Sequence, residues 1–319
     1  MKTIKLIAFL VLLAQTALSQ TLPPPLPPPP PSAGQVSKAD SLFNEGSIKE
    51  AVNEYKKLYC SNTGDRIVVY NFARALSRDG QIDSALKYLN IAVNIEPEVR
   101  PLTDPNLLAI RESKQWADFE NNLIKLIGKR SGNPIIDIDY AKALWRLQCM
   151  DQYCFYETLI AVRKLGSDSP VVSAMRRLQN MQNQKNVEDI GILLKEKGWP
   201  KRSKVGPEAA GAAFFVLQHS NASAQEKYLP MFEKCCRENE ADYQQYALML
   251  DRMRMNRNLP QRYGTHYNLD NRATNERILY PLEDEAKVNE WRKEIGLEPL
   301  NDYLIRSNIS REPLDSSKK

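Results

Sequence analysis

Small and apolar residues recur with a period of 34 positions in the first part of the chain. The matching pairs are Ala39 and Ala73, Leu42 and Leu76, Gly46 and Gly80, Ile48 and Ile82, and Ala51 and Ala85. Small residues at fixed positions let the two helices of a hairpin approach closely, and glycine suits the turn between them. The pattern predicts two helical hairpins over residues 36–99, with one helix ending near residue 44 and others over 49–59, 68–78 and 84–94.

The same phase continues beyond residue 99 without its glycines. Leu107 follows Ala73 by 34 positions, and Ala141 follows it by 68. These positions predict degenerate third and fourth hairpins over residues 100–133 and 134–167. Connecting helices are expected from there to residue 197, because Pro170 suits a first helical position and Gly198 suits a helix end.

The period, the small residues, the turn glycines and Pro97 together resemble the tetratricopeptide family. Tyr55 stands at one aromatic position of the family pattern, whereas Leu89 stands at the equivalent position of the next repeat. The resemblance implies stacked hairpins whose first helices line a concave binding groove.

Beyond residue 198 the period is lost, and the sequence predicts a separate, mostly helical domain over residues 198–312. Its predicted helices cover residues 208–219, 223–238, 242–256 and 283–295, the second beginning with a capping-box pattern at Ser223. A small β-hairpin is predicted from residues 267–269 and 277–280. The predicted fold class is therefore mainly α: a tetratricopeptide-like array followed by a mostly helical C-terminal domain with a small β-hairpin.

Short motifs in this region resemble those of an uncharacterised bacterial domain family. They are Gly198-Trp199-Pro200, Gln218-His219, Asp251-Arg252, Gln261 with Tyr263-Gly264-Thr265, and Arg292 with Gly296-Leu297. The resemblance supports a domain boundary near residue 198 and implies no activity, because the family has none assigned. His266 stands where the resemblance leads us to expect glutamine.

The first residues have the composition of a secretory signal peptide. Lys2 and Lys5 precede a short apolar stretch, and the small residues Ala17 and Ser19 favour cleavage after Ser19. Residues 20–35 form a proline-rich spacer, in which LPPPLPPPPP favours extended polyproline II. Residues 313–319 form a polar tail. We therefore expect a periplasmic or secreted protein whose mature chain has no membrane span.

Charge and cysteine content narrow the class of protein. The formal net charge of +5 falls to +3 once Lys2 and Lys5 leave with the signal peptide, which argues against nucleic-acid binding. The five cysteines are too few for a disulfide scaffold. Cys149 and Cys154 flank a predicted turn and could form a disulfide, but buried free thiols are the favoured interpretation.

One candidate catalytic group involves His219, at the end of the predicted apolar helix. It could act as a general base with Asp251 as its orienting carboxylate and Arg252 beside it. Alternatively, His219 is an ordinary helix-terminal histidine bonded to backbone carbonyls. The sequence contains no nucleophile elbow, Walker loop, dinucleotide fingerprint or short metal-ligand spacing, so no cofactor or metal is predicted.

A candidate ligand-binding loop contains Gln261, Tyr263, Gly264 and Thr265. So many polar groups in one short segment need hydrogen-bond partners if they are buried. The loop is therefore either exposed to solvent or organised around a ligand or an internal network.

A second candidate binding surface is the groove implied by the tetratricopeptide resemblance. Repeat position places Arg74, Arg78, Lys142 and Arg146 along it. Fixed cations suit an acidic peptide or a C-terminal carboxylate, although solvated charge is an equally good explanation. The leading hypothesis is therefore an exported protein-interaction protein with a C-terminal domain of unknown activity. The alternative is an envelope hydrolase with its active site around His219, Asp251 and the 261–265 loop.

Overall fold

The computed structural model describes residues 37–271 and 276–311. The predicted signal peptide, the proline-rich spacer and the C-terminal tail all lie outside these described residues. The described chain from Lys38 onward belongs to one compact unit.

Two helical hairpins begin this unit, as the period of 34 predicts. Their helices are α1 (Lys38–Asn44), α2 (Ile48–Ser61), α3 (Arg66–Arg78) and α4 (Ile82–Ile95). The repeated alanines, Ala39, Ala51, Ala73 and Ala85, are completely buried. A larger side chain at these positions would separate the helices. Gly46 and Gly80 adopt positive φ at the two equivalent turns, a conformation that glycine adopts without strain.

The next segment is only partly a hairpin. Two short 3₁₀ helices, Arg100–Leu102 and Pro105–Leu107, lead into α5 (Leu108–Arg111) and then α6 (Trp116–Ser131). Both 3₁₀ helices contain a proline in their first two positions, where its missing N–H has no effect on helical hydrogen bonding.

Two long helices follow where a fourth hairpin was predicted. They are α7 (Ile138–Leu165) and α8 (Pro170–Lys197), which pack along each other. The prediction of a hairpin over residues 134–167 was wrong, because no glycine or proline interrupts the helix from Ile138 to Leu165. The turn predicted between Cys149 and Cys154 is likewise absent. All five cysteines have free thiols.

The C-terminal part consists of short helices around a two-stranded sheet. The elements are α9 (Arg202–Val205), α10 (Pro207–Ala210), α11 (Ala212–Gln218), α12 (Ala222–Arg237), α13 (Tyr243–Asn256), β1 (Tyr267–Asn271), β2 (Glu276–Leu279), α14 (Val288–Glu294) and α15 (Leu300–Ser307). The strands pair antiparallel with Tyr267 opposite Leu279. The N-cap of α12 is Asn221 rather than the predicted Ser223, since the Asn221 side chain accepts a hydrogen bond from the Ala224 N–H.

The largest hydrophobic core extends from Ala39 to Tyr263 and continues across residue 198, where a domain boundary was predicted. Near that position, the ring of Trp199 stacks on Phe232 with centroids 4.0 Å apart. A smaller core contains Val288, Leu300, Leu304 and Ile309 and supports the β-hairpin. The mainly α fold with a small β-hairpin is confirmed.

Candidate functional site

A histidine and a carboxylate from distant parts of the sequence meet between α7 and α11. Nδ1 of His219 lies 2.8 Å from Oδ2 and 3.0 Å from Oδ1 of Asp151. An ionised carboxylate only accepts hydrogen bonds, so Nδ1 is the donor in this contact, and in the neutral imidazole Nε2 has the lone pair. The Asp151 side chain is 1% exposed, whereas that of His219 is 20% exposed. The imidazole is therefore held by a buried acceptor and remains accessible to solvent.

A surface pocket of about 380 Å³ lies about one helical turn from this pair. Its walls include Gln148 on α7 and Phe215 on α11. Gln148 precedes Asp151 by three positions and Phe215 precedes His219 by four, so each pair shares a helix face. Oε1 of Gln148 is buried without a hydrogen-bond partner. Gln148 and Phe215 thus belong both to the pocket wall and to the helix faces that carry Asp151 and His219, although neither Asp151 nor His219 itself lines the pocket.

Asp251 does not orient His219; this part of the predicted catalytic group was wrong. Its carboxylate accepts hydrogen bonds from the backbone N–H groups of Arg262, Tyr263 and Thr265 and from the Thr265 hydroxyl, at 2.8–3.2 Å. Burial raises the pKa of Asp251, while these hydrogen bonds oppose that shift. The positive φ of Gly264 turns the chain so that the donors converge. Asp251 therefore organises the loop, and Asp151 is the carboxylate partner of His219.

Gln261 connects the same loop to the β-hairpin. Its amide nitrogen donates to the carbonyls of His266 and Tyr280 at 3.0 and 2.7 Å, and its amide oxygen accepts from the His266 N–H at 2.9 Å. Tyr263 is buried, and its carbonyl accepts a 2.6 Å hydrogen bond from Arg292. The predicted ligand-binding residues thus come together as an internal network, in which the polar atoms of Gln261 already have partners.

His266 continues this network towards α11. Its Nδ1 lies 2.8 Å from the Thr265 hydroxyl, which donates its single hydrogen to Asp251. Nδ1 must therefore donate to Thr265, and Nε2 is left to accept from the Gln218 amide nitrogen 3.4 Å away. Burial and the charge of Arg252 lower the pKa of His266 to about 3. His266 is neutral at ordinary pH and connects the loop to the residue before His219.

Arg252 is 9% exposed and follows Asp251 on α13. Burial lowers the pKa of its guanidinium group. Within the described chain, this side chain makes no hydrogen bond or ion pair, and its Nε is buried without a partner.

The basic groove predicted from the repeats is largely neutralised by the protein itself. Nε of Arg74 lies 2.8 Å from Oδ2 of Asp104, and Nη1 of Arg78 lies 2.5 Å from Oε1 of Glu157 on α7. The end of α7 also reaches the first turn of the array, where Lys164 donates to the Gly46 carbonyl. Helix α7 therefore contacts the first two hairpins through side chains near its C-terminal end.

The other two predicted groove cations also have partners. Lys142 donates to the Asn121 side chain at 2.6 Å, and Arg146 lies 3.3 Å from Glu112. The Arg146 pair is well exposed, so its attraction is weak.

A family model matches residues 142–309, more than half of the chain, and its description is "Family of unknown function (DUF6624)". The chain belongs to the DUF6624 family. No curated protein and no solved structure matches it. The DUF6624 match agrees with the resemblance found in the C-terminal motifs, whereas no family match supports the tetratricopeptide resemblance.

The DUF6624 segment includes α7 almost from its beginning, so it contains Asp151 as well as His219 and the 261–266 loop. Sequence reasoning missed Asp151. The available signal was weak: a single carboxylate between Cys149 and Tyr153 in a region otherwise assigned to repeat packing. The buried Asp151 carboxylate also accepts a 2.7 Å hydrogen bond from the side-chain nitrogen of Gln152, in addition to its contact with His219.

Two further observations concern the described part of this DUF6624 chain. None of its helices is both long and apolar enough to cross a bilayer. Within residues 37–271 and 276–311, no group of three or more His, Cys, Asp or Glu side chains is arranged to hold a metal ion.

Proposed function

We propose that this protein is a hydrolase in which His219 acts as general base and Asp151 is its positioning residue. The observation that carries the proposal is the contact between His219 Nδ1 and both oxygens of the buried Asp151. This contact fixes the tautomer in which Nε2 is basic. Nε2 would remove a proton from a water molecule while the water oxygen attacks an electrophilic centre of the substrate. The protonated His219 ring would then give that proton to the leaving group.

The surroundings of His219 favour a small polar substrate. The pocket one helical turn away has a volume of about 380 Å³, and its walls include the Phe215 ring and Gln148, whose Oε1 is unpaired in the described chain. Pockets of this size hold small molecules, and a few convergent polar groups fix their orientation. In the predicted groove of the array, in contrast, Arg74 and Arg78 are already paired with Asp104 and Glu157.

The test is hydrolysis by the full chain of chromogenic carboxylic esters, phosphoesters, glycosides and amides, with uptake of ¹⁸O from labelled water measured by mass spectrometry. We expect one class to be hydrolysed and His219→Gln to lower its rate by about 100-fold or more, since positioned bases contribute factors of that size.

Asp189→Asn is the matched control, because Asp189 is a partly exposed carboxylate on α8 that pairs with Lys185 in the described chain. It should leave the rate unchanged. Full activity of His219→Gln, or failure of the folded protein to hydrolyse any of the classes, would count against a hydrolase.

Protein binding is a second candidate function, because α8 carries an exposed apolar stripe. Val171, Leu178, Met181 and Ile192 lie along one side of α8 and are each more than half exposed. Stripes of this kind favour partner contacts. Cross-linking in a cell-envelope extract should capture a protein through this face, and the double change Leu178→Lys and Met181→Lys should abolish capture.

We also propose that the chain is exported, from the signal-peptide pattern of its first 19 residues. Mass spectrometry of the protein recovered from the periplasm or medium should give Gln20 as its first residue. A cytoplasmic protein that retains its first 19 residues would exclude export by this route.

A further inference from the structure

The described chain contains three arginines that are at least nine-tenths buried, and one of them differs from the others. Arg292 donates to the carbonyls of Glu298 and Tyr263, both at 2.6 Å. Arg111 donates to the Leu102 carbonyl and lies over the Trp116 ring. Arg252 has neither a carbonyl nor a carboxylate acceptor. Its Nε is buried without a partner in the described chain, and such an unpaired, desolvated charge is unfavourable, so a counter-charge supplied from outside the chain would offset this cost.

The face of α13 that carries Arg252 is directed towards the end of α11. Asn256, one turn further along the same face, donates to the side-chain oxygen of Gln225. The Gln225 amide nitrogen in turn donates to the carbonyls of Leu217 and Gln218. Arg252 is therefore on the side of α13 nearest to the segment that ends in His219.

A second unused polar group lies beside the same histidine ring. Gln218 uses its amide nitrogen on His266, and its amide oxygen is buried without a partner. The amide cannot simply be rotated, because its oxygen would then meet the unprotonated Nε2 of His266. The positive charge of Arg252 also lowers the pKa of His266. One unpaired cation and one unpaired acceptor are thus arranged around His266, next to His219.

We propose that Arg252 binds an oxyanion, a carboxylate or a phosphate group, of a ligand, while the amide oxygen of Gln218 accepts a hydrogen bond from a hydroxyl or N–H group of the same ligand. The identification of this ligand as a substrate rests on the proposed hydrolase; the anion site itself does not. A guanidinium group matches the planar and tetrahedral oxyanions with two parallel hydrogen bonds. Burial also lowers the pKa of Arg252, a sign of the unfavourable desolvation that a bound anion would offset.

The experiment uses the full chain and two probes, inorganic phosphate and acetate, against chloride at equal ionic strength. The Nε–Hε signal of Arg252, assigned by its loss in Arg252→Gln, should shift with saturation on titration of one probe. The change Arg252→Gln should weaken binding by about 10-fold or more, as expected for loss of a charged hydrogen bond. A response to phosphate alone assigns a phosphate group, and a response to acetate alone assigns a carboxylate.

Arg257→Gln is the matched control, since Arg257 lies on the same helix but is exposed and paired with Glu226. Equal weakening in both variants would overturn the proposal, because binding would then reflect net charge. No saturable shift with either probe, or unchanged binding in Arg252→Gln, would overturn it as well.

Thermal unfolding without a ligand separates a binding role from a structural one. Arg252→Gln should leave the melting temperature unchanged or raise it, because an unpaired buried charge is removed. Arg292→Gln should lower it, since two carbonyls lose their donor. A comparable fall in both variants would make Arg252 structural and refute the site.

The two proposals fail in different ways. If His219→Gln binds phosphate or acetate as the unchanged protein does, and no substrate class is hydrolysed, the oxyanion site stands without the hydrolase. If hydrolysis depends on His219 but neither probe binds at Arg252, the hydrolase stands and the oxyanion site is refuted.

Discussion

Asp151 and His219 are 68 positions apart in the sequence, yet both carboxylate oxygens of Asp151 lie within 3.0 Å of Nδ1 of His219. The two residues reach each other because α11 packs against the middle of α7. A buried carboxylate that holds a partly exposed imidazole in one tautomer is the arrangement on which our proposal of general-base catalysis depends.

Replacing Asp151 by asparagine should change the tautomer without removing the hydrogen bond. An asparagine amide can donate to Nδ1, which then gives up its proton to Nε2 and leaves no basic lone pair exposed. We expect the hydrolytic rate to fall by about 10³–10⁴-fold. The ¹⁵N chemical shifts of the His219 ring should exchange their pattern in the same variant; unchanged shifts with a lost rate would contradict this explanation.

Replacing His266 by glutamine should remove a pH dependence of stability. The folded-state pKa of about 3 lies well below the ordinary value of 6.5, so the unfolded chain takes up a proton that the folded protein does not. The stability associated with neutral His266 is complete above about pH 6.5 and is lost as the pH falls towards 3. Between pH 6 and 5, the free energy of unfolding should therefore fall by about 1.4 kcal/mol more in the unchanged protein than in His266→Gln.

Urea denaturation at several pH values measures this difference directly. Glutamine keeps hydrogen-bonding groups at this position but does not take up a proton. At low pH the two proteins should therefore differ in stability only through the proton that His266 takes up in the unfolded chain. Parallel pH profiles between pH 7 and 5 would mean that His266 becomes protonated in the folded protein.

Gly264 and Gly296 provide a matched pair for testing the packing beneath the loop. Both have positive φ, but a Cβ at Gly264 would lie 2.7 Å from Cδ1 of the buried Leu300, whereas one at Gly296 would have no neighbour within 4 Å. Gly296→Ala should cost about 1–2 kcal/mol from backbone strain alone. Gly264→Ala should cost about 1–3 kcal/mol more because it also overpacks the small core. Equal losses of unfolding free energy would show that Leu300 moves freely.

The ion pair between Arg78 and Glu157 bears on the predicted binding of an acidic peptide. Both side chains are about one-fifth exposed, so a double-mutant cycle should give a coupling of about 1 kcal/mol at most. An acidic peptide has to displace Glu157 to reach Arg78. Glu157→Gln should therefore tighten binding of a labelled glutamate-rich peptide, measured by fluorescence anisotropy, and a second change, Arg78→Gln, should remove the gain. No gain in Glu157→Gln would argue against this groove as a peptide site.

Features determined by neighbouring residues were predictable from the sequence. The alanines and turn glycines of the first two hairpins act within about 15 residues of chain, which is why the bounds of α1 to α4 were close to the prediction. The cluster of polar groups around Gln261 was also recognised as a unit, although sequence could not tell an internal network from a ligand site.

Features that depend on distant residues were not predictable. Nothing near Asp151 marks His219 as its partner, so Asp251 was assigned that role. The repeat period favoured a turn within α7, but the local sequence there contains only helix-compatible residues. Helix α15 was not predicted, although Pro299 stands just before its first residue, where proline is compatible with a helix start.

Helix α7 carries Glu157 for the array and, six positions earlier, Asp151 for the candidate site. A fragment that starts at Gly198 keeps the imidazole and the 261–266 loop but loses Asp151, the carboxylate that orients the imidazole. The helix therefore restricts how such a gene can be recombined. An exchange of the N-terminal hairpins for another module preserves the Asp151–His219 pair only if the join falls upstream of α7. The segment that has to stay together therefore begins before the point where the repeat pattern ends.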